Sequence, residues 1–356
     1  MGALFMTVSA PASAPAATLP FVDRGPLSHA VMSHLTGDDD AAAADHTGLA
    51  TAAVAASADV VRDDDIQLAL FVLYASSYGS LPQLDADLEW DPALLTTRRI
   101  LEEAFESALR ARVPMPESPE PTVDAVGRAL FALAAADTGP SLSRHIAKKA
   151  TREQAEETLI QRSVYTLREA DPHSWAIPRL QGRAKAALVE IQSDEYGGGR
   201  PQRVHAELFA RAMRAAGLDS TYGAYVDDVP AITLASHNMM SMFGLNRRLV
   251  GAIVGHLAAF EMTSSIPCRL YADGLHRLGF DPDVAAYFEE HVEADAVHEQ
   301  IAARDLAGSL AEDHPELLPD ILFGAAACLT VDGWGGEHIL ESWQAGTSSL
   351  RPRVAS

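Results

Sequence analysis

The sequence predicts an all-α protein. Apolar and polar residues recur with helical period through most of the chain. No alternating apolar and polar run of the kind a half-buried strand needs interrupts them. Prolines, glycines and acidic caps mark where the helices start and stop.

Taken in order, Leu27 to Leu35 reads as a short helix, and the Asp38-Asp39-Asp40 run with its alanine-rich sequel reads as a loop. Asp63-Asp64-Asp65 caps a helix from Ile66 to Tyr78. Pro92 opens the next, through Leu101 and Phe105 to Ala111. Pro114, Pro116, Pro119 and Pro121 exclude a helix between them, and Val123 to Ala135 resumes one that Gly139-Pro140 ends. Arg152 to Leu167 is amphipathic; Pro172 and Pro178 break the pattern before a long helix from Leu180 to Tyr196. After Gly197-Gly198-Gly199 it resumes at Val204 and runs to Ala215. Ser236 to Phe243 and Arg247 to Ser264 form a pair, Pro282 opens a helix that continues beyond Ala303, and Leu317 to Leu329 and His338 to Trp343 close the bundle. No internal repeat is visible.

The bulk numbers bound the function. A net charge of −22, from Asp+Glu 49 against Lys+Arg 27, disfavours nucleic acid and anionic membrane as partners. Cys268 and Cys328 make no metal-ligand pair by spacing, which suits a reducing, cytoplasmic setting. Residues 1–20, rich in Ala, Pro and Ser and without a basic start, read as a disordered tail and not a secretory signal. No stretch approaches the roughly 20 apolar residues of a membrane span. The expected layout is a tail over 1–20, a helical region over 21–150 and a larger helical domain over 151–345.

The chemistry concentrates on the helix after Pro282. His291, Asp295 and His298 stand at i, i+4 and i+7, on one narrow helix face. Two imidazoles and a carboxylate at that spacing suit a borderline transition metal such as iron, although an exposed acidic helix with two chance histidines gives the same string. Glu261 lies in the apolar run Leu257-Ala258-Ala259-Phe260-Glu261-Met262, where an unpaired carboxylate is costly and a metal would relieve it. Glu195 and His205 flank the glycine run. Ten residues apart, they would point about 80° apart on a straight helix, and the glycines can absorb the difference as a bulge or break. Three carboxylates and three imidazoles on helices form a set suited to two irons. The ferritin-like pairing of Glu-x-x-His motifs is absent.

Glu195 with His205, then Glu261, then His291-x3-Asp295-x2-His298, in that order, resembles the ligand order of the haem-oxygenase-like diiron oxidases, known broadly as iron-containing redox enzymes. The similarity covers roughly Thr151 to Trp343, carried by Asp194-Glu195-Tyr196-Gly197 and Glu290 to Gln300. It implies a haem-oxygenase-like bundle of about seven core helices, here with an N-terminal helical extension. It also implies two iron ions cycling between Fe2+ and Fe3+, O2 as co-substrate, and a small organic substrate of amino-acid or fatty-acid type in secondary metabolism. An external electron donor and a homodimer are compatible with it. Some similar proteins carry a seventh, carboxylate ligand, for which Glu190 is the candidate. Similar proteins also often carry Glu and His where this chain has Ala75 and Ser77. The competing readings are a haem-binding or haem-degrading protein, which needs one axial histidine and no clustered carboxylates, and a non-catalytic scaffold.

Of the other candidates, His256 reads as a core histidine, and Met239, Met240 and Met242 beside His237 as core filling or the lining of an apolar tunnel. Arg247-Arg248 reads as paired with acidic neighbours or as a carboxylate clamp, and His338 and Trp343 as packing. Gly197-Gly198-Gly199 lacks the Lys-Ser/Thr of a phosphate loop.

Overall fold

A computed structural model describes residues 18–38, 44–136 and 141–352, with the side chains of 293–297 excepted. Most of the expected tail, Asp39-Asp40 and Gly139-Pro140 lie outside the described residues. Leu19 does not belong to a tail: it is buried and joins the main core.

Among the described residues the chain forms helices and no strand. The N-terminal helices are α1 (Pro26–Leu35), α2 (His46–Ala56), α3 (Asp64–Tyr78), α4 (Pro92–Arg112) and α5 (Val123–Ala135). Then follow α6 (Leu142–Lys148), α7 (Arg152–Thr166), α8 (Gly182–Glu195) and α9 (His205–Ala215). The chain ends with α10 (Ala231–Leu245), α11 (Val250–Met262), α12 (Ser265–Arg277), α13 (Pro282–Gln300) and α14 (Leu318–Gln344).

Local chemistry sets many of these ends. The Asp63 and Asp91 carboxylates accept from backbone amides of α3 and α4, and Thr151 with Gln154 forms a reciprocal cap on α7. Most of the alanine-rich sequel to Asp38-Asp39-Asp40 lies outside the described residues; after it comes α2, which Asp45 caps through Gly48 N and whose alanines favour helix. The two closing segments are a single helix, α14, which runs through Gly333, Gly335 and Gly336.

One apolar cluster runs from Leu19 to Val331 and includes α3, α8, α10, α11 and most of α14. The second gathers α6, α9, α12, the start of α13 and the end of α14. The N-terminal helices therefore share a core with the rest. At the centre α11 packs along α14 so closely that a Cβ on Gly255 would collide with Ile321 O, and one on Gly324 with Ala252 O. Small residues at both positions let the backbones touch. The helix Pro315–Gln344 is long and apolar enough to cross a membrane by length and composition, contrary to the sequence expectation, and 56% of that window is buried in the fold.

Immediately after α13 the chain adopts a π-helix, Ile301–Gly308, packed on α5, α8 and α11. Such widened turns concentrate at functional sites. This one begins three residues beyond His298.

Candidate metal centre

The ends of several helices converge where the two clusters meet. Glu195 is the last residue of α8 and His205 the first of α9. Between them Gly197, Gly198 and Gly199 all take positive φ (73°, 57° and 77°). A Cβ on Gly197 would lie 2.7 Å from the Arg203 carbonyl carbon, so the break needs glycine there. The result brings His205 Nδ1 to 3.0 Å from Glu195 Oε2.

Glu261 ends the apolar face of α11, and His291 and His298 lie two turns apart on α13. His298 Nδ1 is 3.4 Å from Glu261 Oε2, and its Nε2 is 3.1 Å from Asp194 Oδ2. Asp295 lies on α13 between the two histidines, and its side chain is outside the described residues.

The carboxylate that completes the cluster is Glu169, just after α7. Its Oε1 is 3.6 Å from His291 Nε2. Glu190 does not reach the site: it is exposed, because five residues before Glu195 is about 140° around the helix. The buried stripe of α8 instead runs Ala184, Leu188, Ile191, Glu195. Glu169 continues the buried face of α7 set by Ala155, Thr158, Leu159 and Thr166. The helix end expected at Leu167 agrees with the observed end at Thr166, and Glu169 lies in the turn beyond it.

Potential ligand atoms fall into two groups, each within 4.8 Å of one another: Glu169, Glu195, His205 and His291, and Glu195, Glu261 and His298. Glu195 belongs to both. All six residues are only 2–7% exposed. Three carboxylates buried together repel one another and lose hydration, so the arrangement calls for cations.

The titrating groups respond to this. Burial opposes charging His205, but the hydrogen bond to Glu195 and its charge raise its pKa above the usual imidazole value. For His298 burial is likewise outweighed, by Glu261 first and then Asp194, and its pKa rises from 6.5 to about 9. Burial would raise the Glu169 pKa, yet His291 and His205 together with the Tyr287 hydroxyl hold it below the ordinary carboxylate value. The same carboxylates that favour a proton on these imidazoles would favour a metal cation in its place.

A supporting layer fixes the donors. His291 Nδ1–H donates to the Tyr287 carbonyl at 2.8 Å, which leaves Nε2 turned toward Glu169. The Tyr287 hydroxyl donates to Glu169, 2.8 Å from Oε1 and 2.9 Å from Oε2. Asp194 plays the matching part for His298 Nε2. These residues fit a cation pair: mixed oxygen and nitrogen donors suit iron, and both cysteines lie outside the two groups.

Beside the donors is a cavity lined by Tyr165, His173, Gln192, Leu257 and Phe260, with Glu169, Glu195, Glu261 and His291 on its wall. It measures about 20 Å³ on the scale where one water needs roughly 10–15 Å³. His256 backs it without facing the donors, its Nδ1 3.1 Å from His173 Nε2; burial lowers the pKa of both rings, that of His173 to about 4. Elsewhere, Arg248 pairs with Glu106, and Ser77 accepts from Arg98, so neither takes part in the centre.

A nitrosourea synthase from Streptomyces achromogenes subsp. streptozoticus is 30% identical over 206 residues, which is 57% of this chain and 43% of that protein. The chain thus spans less than half the length of this curated relative. Two crystal structures of a CADD-like protein of unknown function from Nostoc punctiforme PCC 73102 are also similar. One is 19% identical and covers 59% of this chain and 94% of its own, with a TM-score of 0.46. The other is 16% identical and covers 66% and 99%, with a TM-score of 0.48. The family model for iron-containing redox enzymes matches residues 156–333, half of the 356 residues and the whole stretch that carries the six buried donors. The chain belongs to that family of iron-containing redox enzymes and has its all-α, haem-oxygenase-like fold.

Proposed function

We propose that the protein is an O2-dependent diiron oxidase or oxygenase acting on a small organic substrate in secondary metabolism. The observation that carries this reading is Glu195, whose carboxylate is within ligand reach of two separate donor groups. A single axial ligand, as haem requires, has no use for such a shared carboxylate. Asp295, one turn from both His291 and His298, is the natural further donor.

When bound, the two irons supply the redox chemistry with dioxygen. The chain's own residues hold and orient. The Tyr287 carbonyl fixes the His291 tautomer, Asp194 holds the proton of His298 Nε2, and the Tyr287 hydroxyl restrains Glu169. Leu257, Phe260 and Tyr165 form the apolar side of the cavity and limit the water it can hold. Insertion of one oxygen atom into a substrate takes two further electrons and two protons to form water, so an external electron donor is part of that version. A two-electron oxidation that releases peroxide needs none. The relative's name says that it makes a nitrosourea, a product with oxidised nitrogen, so nitrogen-bearing substrates head the panel to test, ahead of fatty acids. In this reading the protein works in the cytoplasm.

Anaerobic titration with ferrous iron should saturate near two ions per chain, and the loaded protein should consume O2 faster with the right substrate. Saturation at one ion or fewer would remove the dinuclear reading.

A further inference from the structure

The turn that carries Glu169 is held in a conformation its residues do not favour. Ala170 has φ 73° and ψ −25°, and is the one non-glycine residue with positive φ among the described residues. A side chain is strained in that region, and such strain persists only where surrounding contacts impose it. α7 ends at Thr166, and residues 167–170 form a tight turn. The left-handed Ala170 closes that turn directly after Glu169 and sends the chain into the short helix Asp171–Ser174.

The contacts that impose the turn centre on one side chain. Gln192 Nε2 donates to the Ala170 carbonyl at 2.9 Å and to Ser174 Oγ at 2.7 Å. Ser174 Oγ is 2.9 Å from the Tyr196 hydroxyl, which donates to Asp171 Oδ1 at 2.8 Å. Both ends of the turn are thereby tied to α8, the helix that ends in Glu195. The amide cannot be reversed, because the Ala170 carbonyl only accepts and would then face Gln192 Oε1.

Among the described residues that buried Oε1 has no hydrogen-bond partner. An orphaned buried acceptor is destabilising. Gln192 also lines the cavity beside the donors, so its amide lies between the turn and the centre.

We propose that Gln192 is a positioning residue of the metal centre, locking the left-handed Ala170 turn so that Glu169 is presented to the group formed with Glu195, His205 and His291. The inference rests on the two-metal reading above, and its test separates the two. Glu169 belongs to one donor group only, so Gln192→Leu should weaken one metal site on the order of tenfold and leave the other within about twofold. Anaerobic titration with cobalt(II), followed by its visible bands, resolves the two steps. Ala170→Gly in the Gln192→Leu background should restore the weakened site, because glycine takes positive φ without strain.

The second measurement uses metal-free protein. In urea denaturation Gln192→Leu should shift the midpoint less in the Ala170 chain, where loss of the lock lets the strained turn relax, than in an Ala170→Gly background that has no strain to release, and circular dichroism confirms that each variant folds. Equal weakening of both sites, no effect of Gln192→Leu, or additive urea shifts with no rescue by Ala170→Gly would each overturn the lock. A wild-type protein that binds only one metal, with the urea coupling intact, would overturn the two-metal reading and leave the lock standing.

Discussion

Glu195 is the carboxylate that both donor groups share, which makes its removal different in kind from removal of any other donor. Glu195→Ala should disable both sites, whereas Glu169→Ala should disable the group with His205 and His291 and spare Glu261 with His298. Metal bound at 100 times its Kd stabilises the folded chain by about 2.7 kcal/mol per site. Two sites therefore contribute about 5 kcal/mol, all of which Glu195→Ala should forfeit and about half of which Glu169→Ala should forfeit. For a chain of this size that is roughly 7 °C and roughly 4 °C of the iron-dependent rise in Tm. Glu190→Ala is the control: its side chain is exposed on the far face of α8, and the iron-dependent rise should be unchanged. The assay is differential scanning fluorimetry under anaerobic conditions with and without excess ferrous iron, beside iron stoichiometry by ferrozine. The bridging argument is refuted if Glu195→Ala keeps two irons, or if it loses no more than Glu169→Ala does.

Two further outcomes follow from the same structure. In metal-free protein the His298 pKa is raised from 6.5 to about 9 by Glu261 and Asp194 against the effect of burial, so its proton binds the folded state more tightly than the unfolded one. That contribution is complete below pH 6.5 and fades as pH rises through 9; stability of the metal-free protein should fall across this window. Iron affinity should rise across it, and His298→Gln should flatten both profiles measured by urea midpoint and iron titration. Gly255→Ala places a methyl group against the Ile321 carbonyl, so the α11–α14 pair must separate; overpacking of this kind typically costs about 1–3 kcal/mol. A urea midpoint within error of wild type would show that the helices can slide apart freely.

How much was legible in the sequence depended on whether a residue's role is local or depends on contacts made across the fold. The set His291, Asp295, His298 follows from helix periodicity alone, and Glu261 from a carboxylate in an apolar helix. Glu195 and His205 needed one more step, since three glycines between them relax the register, and the structure resolves the break as three consecutive residues of positive φ. Glu169 lies beyond the end of α7, in Leu167-Arg168-Glu169-Ala170-Asp171, which lacks the apolar context that singled out Glu261. The turn that holds it closes at Ala170, and an alanine carries no sequence signature of a left-handed turn. The turn is imposed from α8 by Gln192, 22 residues away, and such a constraint leaves no trace in local periodicity. Tyr287 and Asp194 share this character, the first a core aromatic by composition and the second an acid at a helix end. Their roles exist only once α7, α8 and α13 are brought together. Local sequence therefore named five buried donors, and the sixth, with the residues that aim them, became readable only from the packed chain.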